Sequence, residues 1–174
     1  MGLTSMPLME LPEFSATIKP GNAVLGLDLG ERTIGVAASD RGLSLSTPVE
    51  TIERRKLKAD LDRLAALAKE REAKGFILGL PLNMDGSKGT RVQITQSFAH
   101  EILKASKADP ALFKLTDPPI LLWDERLSTS AVDRFLIGEA DLSRAKRAAV
   151  VDKMAASYIL QGALDALSNH RMNG

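Results

Sequence analysis

Val24-Leu25-Gly26-Leu27-Asp28-Leu29-Gly30-Glu31-Arg32-Thr33-Ile34-Gly35-Val36-Ala37 is a run of small and apolar residues with a carboxylate, Asp28, near its centre. Burying an aspartate as a charge costs several kcal/mol unless a cation or hydrogen-bond donors compensate it. Asp28 therefore either caps a turn or holds a ligand. The pattern predicts a strand from Val24, a turn at Gly30-Glu31-Arg32 and a second strand over 34–38. Asp40-Arg41-Gly42 closes that strand and a third follows over 43–52, so short turns and apolar runs predict an antiparallel meander.

Beyond the meander, Leu57, Leu61, Leu64, Ala65, Leu67 and Ala68 recur at helical spacing, predicting an amphipathic helix over about 54–73 that Gly75 ends. Phe76-Ile77-Leu78-Gly79-Leu80 is a continuous apolar run, the pattern of a strand buried on both faces. A loop over 81–89 and a second helical pattern through Val92, Ile94, Phe98, Ile102 and Leu103 lead to another buried strand over 120–123. Two successive strand–helix–strand units imply parallel strands with right-handed crossovers. Ser128 can cap a helix reaching about Gly138, and a last helix is expected over about 145–167. The expected class is α/β, a mixed five-stranded sheet in which an antiparallel meander 1-2-3 is joined by parallel strands 4 and 5, with helices on its faces. The domain is expected over 23–168, after a flexible N-terminal extension (1–22) and before a C-terminal tail (169–174).

Composition narrows the chemistry. A chain of 174 residues with 44% hydrophobic content suits one domain, and folding at this size buries roughly 70% of the unfolded surface. Lysine plus arginine (23) nearly cancel aspartate plus glutamate (22), so overall charge argues neither for nor against nucleic acid. The absence of cysteine excludes disulfides, thiolate metal sites, Fe–S clusters and cysteine nucleophiles. His100 and His170 are too few for a histidine-rich zinc or iron site. Oxygen-liganded Mg²⁺ or Mn²⁺ is the default metal. Residues 1–22 lack a basic start and a continuous apolar stretch and so do not read as a signal peptide. Nothing approaches the ~20 apolar residues that span a bilayer, and the expected location is the cytoplasm.

Asp28 lies near the end of the first strand, and Asp124 and Glu125 directly follow the last in Leu121-Leu122-Trp123-Asp124-Glu125-Arg126-Leu127-Ser128-Thr129. Both strands are candidates for central, parallel positions, so their C-terminal ends are expected side by side. On the last helix, Asp152 shares a face with Ala155, Ala156, Ile159 and Ala163. An acid on that buried stripe is anomalous, and the two alanines let the helix lie close to the sheet. Three converging carboxylates are stable as anions only around a cation, and Mg²⁺ or Mn²⁺ held so best supports phosphodiester hydrolysis. Singly, each acid has an ordinary alternative: Asp28 as turn former, Asp124 at a helix entry, Asp152 as partner of Arg147. Arg32, Lys88, Arg91, Arg126, Arg144, Lys146 and Arg147 are interspersed with the acids and could hold a polyanion. Few aromatics accompany them, so a base-stacking platform is not indicated.

The segments "GLDLGERTIGVAASD", "GLPLNMDGSKGTRV", "DERLST" and "VDKMAASYILQGALD", in this order, closely resemble the YqgF family, also called RuvX, of pre-16S rRNA nucleases once described as Holliday junction resolvases. The similarity runs from Val24 to Leu167. It implies an RNase H-like fold and a cytoplasmic enzyme acting on the 5′ end of small-subunit ribosomal RNA, with nucleic acid and ribosomal precursor particles as partners. By motif, Asp28, Glu125 and Asp152 match the catalytic, metal-holding acids, while Asp124 is a neighbour of open role. The loop Asn83-Met84-Asp85-Gly86-Ser87 matches a glycine-containing loop near the active face, a backbone contact for substrate phosphate. Cleavage of branched DNA and a non-catalytic RNA- or ribosome-binding module are the competing readings. "GLDLGERTIGVA" also looks like the first phosphate loop of sugar kinases and actin-like ATPases, but those need two such domains and this chain has room for one.

Overall fold

The computed structural model describes residues 8–83, 85–124 and 144–173, with the backbone alone for 144–148. In chain order the elements are β1 (Leu8–Met9), α1 (Leu11–Thr17), β2 (Ala23–Leu29), β3 (Thr33–Ser39), β4 (Ser46–Glu53), α2 (Leu57–Glu70), β5 (Ala73–Leu80), α3 (Thr90–Ala108), α4 (Pro110–Phe113), β6 (Ile120–Asp124) and α5 (Arg144–Asn173). The expected helix over 128–138 lies outside the described residues.

Strand alternation divides the apolar residues between two cores. Leu25, Leu27 and Leu29 of β2, Ile34 and Val36 of β3, and Phe76 and Leu78 of β5 pack with Leu61, Leu64 and Ala68 of α2 and Phe98 and Ile102 of α3. Val24, Ala37, Ile77 and Leu121 point the other way, onto Ala156, Ile159, Leu160, Ala163, Leu164 and Leu167 of α5. Each large apolar side chain so buried contributes about 1.5–3 kcal/mol. The two faces together make the central strands read as continuous apolar runs.

The α/β class and the mixed sheet hold, but the sheet has six strands, in the order β1-β6-β5-β2-β3-β4. β2, β3 and β4 form the antiparallel meander, and β5 and β6 continue it in parallel. The first correction concerns the N-terminal segment. Leu8 and Met9 pair in parallel with Ile120 and Leu121 on the sheet edge, and Phe14 of α1 and Ile18 just after it are buried in the core beneath α5. Two apolar residues four apart carry little periodicity of their own, so the segment reads as an extension until the end of α5 is there to receive it. α5 itself continues through the expected tail to Asn173.

The second correction concerns boundaries. α2 begins at Leu57, after the Arg54 amide has paired with the Arg32 carbonyl at 2.8 Å. It ends at Glu70, and Glu72 at φ 54° turns the chain back into the sheet. Gly75 is therefore inside β5, where a Cβ would come 3.0 Å from the Pro119 carbonyl oxygen. β4 begins at Ser46, later than expected, because Leu43 (φ 58°) is buried in a turn closed by Asp40, whose Oδ1 accepts from the Ser44 and Leu45 amides.

Candidate active site

Asp28 is the last residue but one of β2, half-buried, and on the α5 face with Val24 and Gly26. Its directly opposed partner on β3 is Gly35, so the two Cα atoms are about 4.5–5.5 Å apart. A Cβ on Gly35 would overlap the carbonyl oxygen of Asp152. The α5 backbone thus rests on the sheet beside Asp28. Gly26 allows the same approach one turn along the helix, where a Cβ would stand 2.7 Å from the Leu160 Cβ and 3.3 Å from the Ala156 carbonyl oxygen. Ala156 and Ala163 of α5 are buried on this side of the sheet, but the sheet contributes the closer fit through its glycines, which sequence reasoning passed over. Glycine inside a strand is the available signal for close backbone approach.

Asp152 is half-buried, and its Oδ2 accepts a 2.6 Å hydrogen bond from the Thr33 hydroxyl. Thr33 opens β3 and closes the turn after Asp28, its carbonyl accepting from the Gly30 amide at 2.8 Å. Sequence reasoning named Arg147 as a structural partner for Asp152 and missed Thr33. The Arg147 side chain lies outside the described residues.

The expectation that the first and last central strands adjoin is corrected, because β5 lies between β2 and β6. Leu78 of β5 pairs with Leu27 on one side and Leu122 on the other, so Asp28 is level with Trp123 and Asp124 comes one residue later. Strand alternation puts Asp124 on the face of Ile120 and Leu122, opposite to Asp28. Glu125 and Arg126 lie outside the described residues. Among the described residues no group of three or more His, Cys, Asp or Glu could hold a metal. Asp28 and Asp152, two of the three expected acids, are brought together. Their hard carboxylate oxygens fit Mg²⁺ or Mn²⁺ and would suit neither a soft nor an imidazole-preferring metal.

The loop after β5 leaves the same end of the sheet as Asp28, since β2 and β5 are parallel. Asn83 and Lys88 are exposed there, and Gly86 adopts φ 87°. The Gly86 amide donates to the Asn83 carbonyl at 2.8 Å and the Asn83 amide group to the Ser87 hydroxyl at 3.0 Å, so both hold the loop's own shape. Arg32 is exposed in the β2–β3 turn. Arg91, also exposed, donates to the Leu29 carbonyl at 3.3 Å. Arg144, Lys146 and Arg147 occupy the first turn of α5, with their side chains outside the described residues.

A second arginine braces the same turn. Arg54 donates to the Gly30 carbonyl at 3.0 Å, lies over the Phe98 ring at 5.8 Å to the centroid and stands 4.0 Å from Oδ2 of Asp60, which is 3% exposed. Arg54→Ala would leave the Asp60 carboxylate with the Arg55 amide at 3.0 Å and no guanidinium of Arg54 beside it. The expected loss is about 2–3 kcal/mol, below the upper range for breaking a buried pair because this one is long. A thermal melt should fall by roughly 4–12 °C at this chain size, and a melt unchanged from wild type would contradict the bracing role.

The sheet is a meander continued by parallel strands, with one acid near the end of its first meander strand and another on the C-terminal helix, the arrangement expected from the resemblance to RNase H-like proteins. The chain belongs to the RuvX family: the family model described as "RuvX: Holliday junction resolvase" matches residues 22–166. A relative from Rhodospirillum rubrum named "Putative pre-16S rRNA nuclease" is 57% identical over 166 residues, covering 95% of this chain and 97% of that protein. Relatives of the same name from Bradyrhizobium sp. (strain BTAi1) and Phenylobacterium zucineum are 52% and 47% identical, over 97% and 94% of this chain and 98% and 99% of theirs. Among solved structures, T. thermophilus RuvC in complex with a Holliday junction substrate is similar at a TM-score of 0.46 and 10% identity, over 85% of this chain and 96% of that one. Among the described residues, no helix is long and apolar enough to cross a membrane.

Proposed function

We propose that this protein is a metal-dependent, cytoplasmic nuclease that hydrolyses phosphodiester bonds and processes the 5′ end of pre-16S rRNA. The observation that supports the reading is the approach of the α5 backbone at Asp152 to Gly35, the residue opposite Asp28. The naming of the full-length relatives supports the RNA substrate. Asp28, Asp152 and Glu125 would hold Mg²⁺ or Mn²⁺, which when bound supplies a Lewis acid and a readily ionised water. The chain's own part is to orient. The sheet presents Asp28, Thr33 fixes the Asp152 carboxylate, and the loop with Asn83, Gly86 and Lys88 rises beside them at the same end. Arg32, Arg91, Arg126, Lys146 and Arg147 would hold the polyanion through phosphate contacts, which position the strand without reading its sequence.

The test offers precursor rRNA carrying its 5′ leader, and separately a four-way DNA junction, with Mg²⁺, with Mn²⁺ and in EDTA. Leader cleavage only with metal is expected. Junction cleavage without RNA cleavage would establish the resolvase reading instead, and binding without cleavage of either would establish a binding module. Two variants extend the test to the third acid. Since Asp124 faces away from Asp28, Asp124→Asn should cleave within a few-fold of wild type. Glu125→Gln should lose ~100-fold or more in single-turnover rate, the scale of losing a catalytic group. The reverse result would exchange their roles.

A further inference from the structure

The contact between Thr33 and Asp152 joins residues 119 positions apart and ties the turn that follows Asp28 to the helix that carries the second acid. Three features make Thr33 a rigid donor. Its backbone is fixed on both sides, by pairing with Glu53 of β4 and by the Gly30 amide on its carbonyl. Its branched Cβ restricts χ1. It shares the α5 face with Gly35, two residues on, where the helix backbone touches the sheet. An aspartate on a helix otherwise rotates among several carboxylate orientations. A hydroxyl donated to an anion at 2.6 Å is a short, charge-assisted bond. By engaging Oδ2 it sets the carboxylate plane and therefore the direction of Oδ1.

We propose that Thr33 is a positioning residue for the acid pair, holding Asp152 in the orientation in which it and Asp28 can share one divalent cation. The inference rests on the metal-dependent reading above. Hydrogen-bond partners of ligating carboxylates change metal affinity by about 10–100-fold when lost, so the role can be read from binding of the metal alone, apart from catalysis.

The experiment titrates Mn²⁺ into the full-length protein by calorimetry and by electron paramagnetic resonance for wild type, Thr33→Val, Thr33→Ser and Asp152→Asn. It also records melting in EDTA and the Mn²⁺ concentration giving half-maximal cleavage. Thr33→Val preserves shape and removes the donor. It is expected to weaken Mn²⁺ binding by about tenfold and to raise the half-maximal Mn²⁺ concentration by a similar factor, with melting in EDTA close to wild type. Thr33→Ser should restore both to near wild type, because it restores the hydroxyl. In the Asp152→Asn background, Thr33→Val should add little, since the two act as one unit. Wild-type Mn²⁺ affinity in Thr33→Val would overturn the proposal, as would a Thr33→Ser variant as weak as Thr33→Val. A wild-type protein that binds no Mn²⁺ would defeat the metal-dependent reading itself, an outcome distinguishable because it requires no variant.

Discussion

Gly35→Ala should destabilise the protein strongly and remove its nuclease activity, although it adds a single methyl group. The added Cβ would occupy the position of the Asp152 carbonyl oxygen and lie 3.1 Å from the Lys153 amide nitrogen, so it meets helix backbone and no movable side chain. Overpacking costs about 1–3 kcal/mol where side chains can yield, and more where they cannot. The expected loss is at or above the upper figure, read as a fall in melting temperature of roughly 6 °C or more. The helix must lift at the residue that carries the second acid, and a displacement of about 1 Å in a catalytic group can cost on the order of 100-fold. Gly26→Ala is the informative comparison. Its Cβ would crowd the Leu160 side chain at 2.7 Å, farther along α5, so it should lose stability with a smaller loss of rate. Equal rate losses in the two variants, or a Gly35→Ala protein with wild-type melting and cleavage, would show that the approach of α5 does not set the site.

Asp28→Asn should abolish cleavage and raise the melting temperature of the metal-free protein. Asp28 lies opposite Gly35, over which Asp152 is placed, so two carboxylates share one end of the sheet. Two unit charges about 5 Å apart repel by ~1 kcal/mol in water and by ~3 kcal/mol at the effective dielectric of a partly buried site. Neutralising one relieves that repulsion, worth roughly 2–12 °C for a chain of this size. Added Mg²⁺ or Mn²⁺ narrows this gap by mass action. At a hundredfold excess over its dissociation constant a cation stabilises the protein by ~2.7 kcal/mol, and a variant lacking one of the proposed ligands should gain less. Melts of both proteins in EDTA and across a metal titration decide the matter. An Asn variant that melts lower in EDTA and still cleaves would assign Asp28 to the turn.

The contrast between these residues shows which features are visible in the sequence. Asp28 was legible because its anomaly is local: one acid in a run whose alternation already declares a strand. The runs at 76–80 and 120–123 were legible for the same reason, since burial on both faces leaves a continuous apolar signature. Asp152 was legible as an acid on the stripe that carries Ala156, Ile159 and Ala163, all buried in the structure. Thr33 and Gly35 were not, because a threonine at a strand start and a glycine within a strand are common and acquire meaning only from the helix lying against them. The N-terminal segment failed by the same logic, Phe14 and Ile18 being significant only once the end of α5 covers them.

From Val24 onward the sequence by itself therefore determined the meander, its parallel continuation, the main helices and the acids that do not suit their surroundings. Each of these follows from backbone periodicity and from the desolvation cost of a charge, properties that act within a few residues. Tertiary structure alone decided that β5 separates β2 from β6, that Asp124 faces away from Asp28, that the sheet gains β1 on its edge, and that Asp152 comes to rest over Gly35 within reach of Thr33. The physical reason is that alternation records which face of a strand is buried and not what buries it. The identity of that partner is set by packing between segments distant in the sequence, 119 positions apart in the case of Thr33 and Asp152.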